Sequence, residues 1–161
     1  MVRQMSSPSS NDVSQRFAAI RAHPLCRNTM NSGNPYMEPG QAVIQDISLM
    51  AGWLESLEAC FREIEALPAV EWPTIHQIKE KFGQPCVRYS GGSGAARGAI
   101  ERYLAQCTTR CQVCGAVAEC RIIEGWHALL CDSHEALANQ ARMATMEKSW
   151  LGEDNAEERA K

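Results

Sequence analysis

The stretch CQVCG, Cys111 to Gly115, decides how the C-terminal half of this chain is read. A Cys-x-x-Cys pair serves either redox chemistry or half of a metal site, so its meaning depends on the residues C-terminal to it. These are AECRII, then Glu124-Gly125, then WHALLC, two short β-type runs joined by a two-residue turn, the pattern of a β-hairpin. The second run ends at Cys131 in LCDSH, Leu130 to His134. Asp132 and Ser133 are favourable helix starters, and Leu137, Ala141 and Ala144 continue at helical spacing to about Lys148. Cys131 and His134 therefore stand one turn apart at a helix start, where they can share one ion.

A Cys-x2-Cys pair, a hairpin and a Cys-x2-His pair at a helix start form the order of a treble-clef zinc finger. Zinc takes four tetrahedral thiolate and imidazole ligands, and a hairpin brings two short-spaced pairs together without straining the chain. The predicted ligands are Cys111, Cys114, Cys131 and His134. Gly115 fits a knuckle, which needs a residue tolerant of positive φ just after its second cysteine. A thioredoxin-like redox pair is disfavoured, because that chemistry sits at a strand-to-helix junction rather than before a hairpin. A Cys3His shell leaves no open position for water, so the expected ion is a single structural Zn2+. In small zinc domains its binding contributes on the order of 10–16 kcal/mol, so folding of this half should depend on it. Cys107, Cys60 and Cys86 read as small buried hydrophobes, Cys107 and Cys120 remaining alternative ligands. His23 and Cys26, in HPLC, have ligand spacing but no second pair, and His76 reads as an exposed helix residue. His127 on the hairpin is the residue that a treble-clef nuclease would use, although no companion base is evident.

The remainder of the chain sets the class. With 161 residues it is long enough for one main domain, and 19 Asp+Glu against 16 Lys+Arg give a net charge of -3, so there is no global attraction for phosphates or anionic lipid. No apolar run approaches the ~20 residues of a spanning helix, and MVRQMSSPSSNDVSQ has no signal-peptide core, so the expected location is cytoplasmic, with no membrane partner. Eight cysteines then point to thiols and metal ligation rather than disulfides.

The predicted fold class is α+β and helix-rich, with an N-terminal helical part and a C-terminal zinc unit. Residues 1–40 are expected to be disordered or loosely ordered, with a short helix around Val13 to Ala22, and RNTMNSGNPYMEPGQ is a linker. A helical region covers 41–83, a zinc-binding α+β module 84–150, and a disordered charged tail 151–161. From Gln41 to Leu67, Val43, Ile47, Met50, Leu54, Leu57, Phe61 and Ile64 define one helical face that Pro68 ends. The opposite face carries Glu55, Glu58 and Glu65, in a segment where Asp46, Glu63 and Glu71 add to the acids and Arg62 is the sole base. A second helix is predicted from Thr74 through Ile75, Ile78 and Phe82 to Gly83, then a short strand in PCVRYS. Gly91 to Gly94 precede a helix through Ala96, Ile100 and Tyr103 and read as a flexible connection rather than a phosphate loop.

IKEKFG, RYSGG, CQVCG, Gly125-Trp126 and LCDSH together resemble a set of small, mostly uncharacterised proteins of phages, prophages and other mobile elements, over about residues 76 to 136. In that set the segment after Phe-Gly more often reads Gly-Leu-Arg-Phe, where this chain has Gln84, Pro85, Cys86 and Val87. The resemblance implies a zinc-binding module of mobile-element origin. The expected function is non-enzymatic, with no catalytic residue assigned: protein–protein binding to a bacterial host protein or protein–nucleic-acid complex, inhibiting a host defence system of anti-CRISPR type. Glu55, Glu58 and Glu65 are then the candidate docking stripe. The alternative is direct nucleic-acid binding or transcription regulation through Lys79, Lys81, Arg88, Arg97 and Arg102, with Tyr89 and Tyr103 available for stacking.

Overall fold

The computed structural model describes residues 10–27, 43–44 and 51–151. The architecture is α+β. Helices α1 (Ser10–Ala22) and α2 (Pro24–Arg27) lead to strand β1 (Val43–Ile44), helix α3 (Leu54–Glu65) and a 3-10 turn (Ala69–Glu71). Strands β2 (Pro73–Lys81) and β3 (Gln84–Gly91), helix α4 (Gly94–Cys107), strands β4 (Glu119–Ile123) and β5 (Trp126–Leu130), and helix α5 (Asp132–Leu151) complete it. Strands β1, β2 and β3 form one sheet in that order, β1 parallel and β3 antiparallel to β2, and β4 and β5 form a separate antiparallel pair. Among the described residues no helix is long and apolar enough to cross a membrane.

Helix α3 follows its sequence pattern. Leu54, Leu57, Cys60, Phe61 and Ile64 fall on one face and are buried, and Pro68 prevents continuation. The predicted start at Gln41 does not hold, since Val43 and Ile44 pair with Gln77 and Ile78 as a parallel strand. Positions 45–50 of that predicted helix lie outside the described residues. So do 1–9, 28–42 and 152–161, on which most of the predicted disordered segments and the linker fall. Residues 10–27 differ from the loosely ordered reading: Phe17, Ile20, Leu25 and Cys26 join the main core, because α1 and α2 carry enough apolar side chains to cover α3 and β2.

The predicted helix from Thr74 to Gly83 is a strand. Ile75, Ile78 and Phe82 have helical spacing, but the ladder slips between Ile75 and Gln77, a β-bulge at His76. In a regular strand positions three apart face opposite sides, and one extra residue restores the parity. The bulge thus turns Ile75 and Ile78, both almost fully buried, to the same face, whereas Phe82 is 69% exposed. Gly83 sits in the β2–β3 turn instead of a helix cap: Phe82 and Gly83 have φ of 55° and 74°, a two-residue type I′ hairpin turn. The Glu80 side chain accepts a hydrogen bond from the Gly83 amide.

The strand predicted in PCVRYS lies within β3, and the Glu124-Gly125 turn joins β4 to β5 with φ of 51° and 83°, again type I′. Ser93 caps α4, its hydroxyl accepting from the Ala96 amide at 3.3 Å. The main core lies between α1, α3 and α4 on one side and the inner sheet face on the other, with Trp53, Ile64, Ile75, Ile78, Ile100 and Cys107 fully buried. A smaller cluster of Cys111, Ala118 and Leu130 surrounds the second half. Strand β5 serves both, Leu129 entering the main core and Leu130 the small cluster, because adjacent strand residues face opposite sides.

Candidate metal centre

The chain leaves α4 at Cys107 and turns tightly through the knuckle. The Cys111 amide donates to Ala116 O at 2.7 Å and the Gly115 amide to Cys111 O at 2.8 Å, with Gly115 at φ 76°, the conformation glycine adopts without penalty. Cys131 comes directly after β5, and His134 lies in the first turn of α5. The ligand atoms of Cys111, Cys114, Cys131 and His134 all lie within 4.8 Å of one another and could hold a metal ion. Cys114 Sγ is 3.8 Å from Cys131 Sγ, and His134 Nδ1 is 3.6 Å from Cys111 Sγ and 3.1 Å from Cys131 Sγ. Cys111 is buried, Cys131 and His134 half-buried, and Cys114 exposed.

The electrostatics suit a cation. Burial pushes the Cys111 thiol up, but the backbone amides of Cys131, Cys114 and Val113 outweigh it and leave the thiol lowered. For Cys131 burial is again the largest single effect and pushes the thiol up, but the side chain and backbone of His134 together with Cys114 outweigh it, so it too is lowered. Cys114 goes the other way, to about 11, through burial and its neighbours Cys131 and Cys111. Three thiolates this close would repel one another, and a cation held among them would relieve that repulsion.

Four residues position the site without being legible as functional in the sequence. Gln112 is buried between the two cysteines: its amide donates to Leu129 O at 2.9 Å, its Oε1 accepts from the Leu129 amide at 3.1 Å, and its carbonyl accepts from the Gly52 amide at 2.8 Å. Trp53, buried in the main core, donates its indole N–H to Arg110 O at 2.9 Å. A Cβ on Gly52 would fall 2.1 Å from Cys111 O and 2.4 Å from Gly115 N, so only glycine fits against the knuckle. Arg121 on β4 reaches Asp132 at 3.1 Å and Glu135 at 3.3 Å, tying the hairpin to the start of α5. The one available signal is Gly52 itself, a glycine inside an otherwise helical pattern.

The other sulfur and imidazole groups lie elsewhere. Cys107, Cys60 and Cys26 are buried in the main core, and burial pushes each thiol up to about 12, whereas Cys86, expected in the core, is half-buried on the β3 face opposite Val87, because successive strand residues face opposite sides. His23 meets Glu65 at 2.9 Å and accepts from the Leu25 amide through Nδ1 at 3.2 Å, and His76 meets Ser90 Oγ at 2.8 Å on the β2 bulge. Cys120 and His127 pair with each other at 3.6 Å. His127 occupies the β5 face of Leu129, opposite the face whose Ala128 and Leu130 pack around Cys111.

The two charged surfaces separate differently from the sequence pattern. Glu58 is half-buried and forms a two-pronged pair with Arg16 of α1 at 2.9 and 2.8 Å, and Glu65 meets His23, so two of the three stripe acids are engaged within the fold. Glu55 is exposed, and among the described residues its carboxylate has no ion pair, although its charge acts on Arg16 from a distance. Of the basic set, Arg102 is tied to Glu63 of α3, Arg97 is exposed on α4, and Lys79, Lys81 and Arg88 lie on the sheet. Tyr103 is buried and Tyr89 half-buried against the main core, so neither is free to stack on a ligand.

Comparison with models of known protein families, with curated proteins and with solved structures finds no match to this chain.

Proposed function

We propose that this protein is a zinc-stabilised, non-enzymatic binding module whose metal centre is a treble-clef finger of structural type. The convergence of Cys111, Cys114, Cys131 and His134 within 4.8 Å carries the reading. In a tetrahedral zinc site with Zn–S of ~2.3 Å and Zn–N of ~2.05 Å, ligand edges are about 3.8 Å for S–S and about 3.5 Å for S–N. The Cys114–Cys131 and Cys111–His134 separations of 3.8 and 3.6 Å agree with those edges, and Cys131–His134 at 3.1 Å is shorter, so it would have to open as an ion enters. A knuckle, a hairpin and a helix start supply the ligands in treble-clef order, and four protein ligands fill the shell. When bound, zinc would supply cross-linking of these three elements, and the action of the protein falls to its surface.

Elemental analysis of the purified protein should give close to one zinc per chain, and cobalt substitution should give the intense visible absorption of a tetrahedral thiolate site. Cys114→Ser or Cys131→Ser should lose the metal and make the C-terminal half unfolded or insoluble, while Cys120→Ala leaves zinc content unchanged. A soluble, fully folded Cys114→Ser/Cys131→Ser variant without metal would refute the assignment. As the sequence resemblance implies, the partner belongs to a bacterial host, and a defence complex of anti-CRISPR type is the specific form of the proposal. Expression in a host with active CRISPR immunity should then raise plating of a targeted phage. Unchanged plating across the major immunity types rejects that part and leaves the metal centre untouched.

A further inference from the structure

The outer face of the β2–β3 sheet is a second surface with its own chemistry. Ile78 and its partner Val87 face the core, so Gln77, Lys79 and Lys81 on β2 face outward, opposite Arg88, Cys86 and Gln84 respectively. Glu80 is on the other face, its carboxylate holding the Gly83 amide. This outward face therefore carries Lys79, Lys81 and Arg88 and no acid on β2 or β3, in a chain with more acids than bases. None of the three cations has an ion pair among the described residues, unlike Arg16, Arg102 and Arg121. The three span about 13 Å along the strands at ~3.3 Å per residue.

The turn beside them presents an aromatic ring at a conformational cost. Phe82 adopts φ of 55°, a region that bulky residues rarely occupy and where Asn or Asp is usual before glycine. It is nonetheless 69% exposed, so packing in the main core does not account for it. Its ring meets the exposed His127 ring edge-on at 6.3 Å, and Lys81 Nζ lies 5.3 Å from its centroid. Gly83 beneath it is buried against Ala128, where a Cβ would come within 3.2 Å of the backbone, so the turn is held firmly on β5. An exposed aromatic pair beside three cations that have no ion pair among the described residues combines the two elements that bind single strands: cations for phosphates and rings for bases.

We propose that the outer β2–β3 face binds single-stranded nucleic acid, with Lys79, Lys81 and Arg88 contacting phosphates and Phe82 with His127 stacking on bases. The proposal rests on the reading of the protein as a binding module and names the chemistry of the partner. Tyr89 and Tyr103, the aromatics suggested by the sequence, are replaced in this role by the ring pair at the turn.

The test is fluorescence anisotropy of labelled oligo-dT and oligo-U with the zinc-loaded full chain, titrated in salt. Three phosphate contacts on a single strand give a log–log salt slope of about −2, or about 20-fold weaker binding from 50 to 200 mM salt. Lys79→Gln/Lys81→Gln/Arg88→Gln should abolish binding and Phe82→Ala should weaken it about tenfold, while Arg97→Gln leaves it unchanged. Duplex of equal length should bind more weakly, because its bases are not free to stack. Zinc content and circular dichroism of every variant tell loss of the metal fold from loss of the surface, and Lys81→Gln/Phe82→Ala serves if the triple variant does not fold. No binding at 50 mM salt, or wild-type affinity in the folded sheet variants, overturns the proposal. Competition by poly-glutamate as effective per charge as oligo-dT also overturns it and assigns the face to an acidic polypeptide.

Discussion

Replacing Gly52 by alanine adds one methyl group at the place where the main core meets the knuckle. That carbon would lie 2.1 Å from Cys111 O, 2.4 Å from Gly115 N and 2.8 Å from Cys114 N. All three are backbone atoms of the metal loop, so no flexible side chain can swing aside. Separation of the two segments also endangers the hydrogen bond from the Gly52 amide to Gln112 O at 2.8 Å. Overpacking of a tight interior costs about 1–3 kcal/mol, and a lost amide hydrogen bond about 1 kcal/mol more. The expected destabilisation is therefore about 3 kcal/mol, which seen as metal binding is about two orders of magnitude in zinc affinity. Gly98→Ala is the matched control. Its Cβ meets only the tip of the Arg102 side chain, at 3.3 Å, inside α4, where alanine should stabilise by about 0.5–1 kcal/mol. Urea unfolding monitored by circular dichroism, with zinc competition against a chromophoric chelator, measures both variants. If Gly52→Ala matches wild type in stability and zinc affinity, the knuckle does not rest on this segment.

Other expectations concern thiols, ion pairs and chelation. Burial holds Cys26, Cys60 and Cys107 at about 12, so at pH 8 their thiolate fraction is about a thousandfold below that of an ordinary thiol. Alkylation of the native, zinc-loaded protein and then peptide mass spectrometry should show the exposed Cys120 labelled first, and early labelling of Cys60 would contradict the core assignment. Arg121→Ala should cost about 1 kcal/mol or less in thermal unfolding, because Asp132 is almost fully exposed and solvent weakens the pair. On chelation, hydrogen exchange should speed up in β4, β5 and the first turns of α5, and around Gly52 where it meets Gln112, while α4 keeps its protection through Ala99, Ile100 and Tyr103 in the main core. Simultaneous loss of protection in α4 would show that the two cores fold as one unit.

The elements read correctly are those whose signal is local. Cys111, Cys114, Cys131 and His134 come together as their spacing predicts, close enough to hold a metal ion, and the Glu124-Gly125 turn is legible because a glycine, which accepts positive φ freely, stands between two β-type runs. Helix α3 is legible from Leu54 onward because Leu57, Phe61 and Ile64 repeat at 3.6-residue spacing. The same rule fails at Ile75, Ile78 and Phe82. Spacing of three is ambiguous between a helix and a bulged strand, and what selects the strand is non-local: Val87 and Tyr89 opposite, and the turn at Phe82-Gly83. That turn is hidden because phenylalanine takes the place where asparagine or aspartate would have signalled it.

The supporting contacts of the metal centre are invisible for a related reason. Gln112 lies within CQVC as an inconspicuous polar residue, yet three of its hydrogen bonds join segments that the chain keeps far apart, Gly52 before α3 and Leu129 on β5. Sequence spacing marks candidate ligands because an ion would see only donor atoms, whereas the shell that orients those donors is defined by the fold around it. The charged surfaces show the converse. Glu58 and Glu65 look like a free stripe in the sequence because their partners Arg16 and His23 come from α1 and the turn after it, a segment expected to be loosely ordered. Lys79, Lys81 and Arg88 look like part of a diffuse basic segment because a helix would have scattered them, and the strand pairing gathers them on one face. Charge in a sequence therefore locates a surface only after pairing has decided which charges are cancelled, and here the pairing consumes much of the acidic stripe and leaves three bases together.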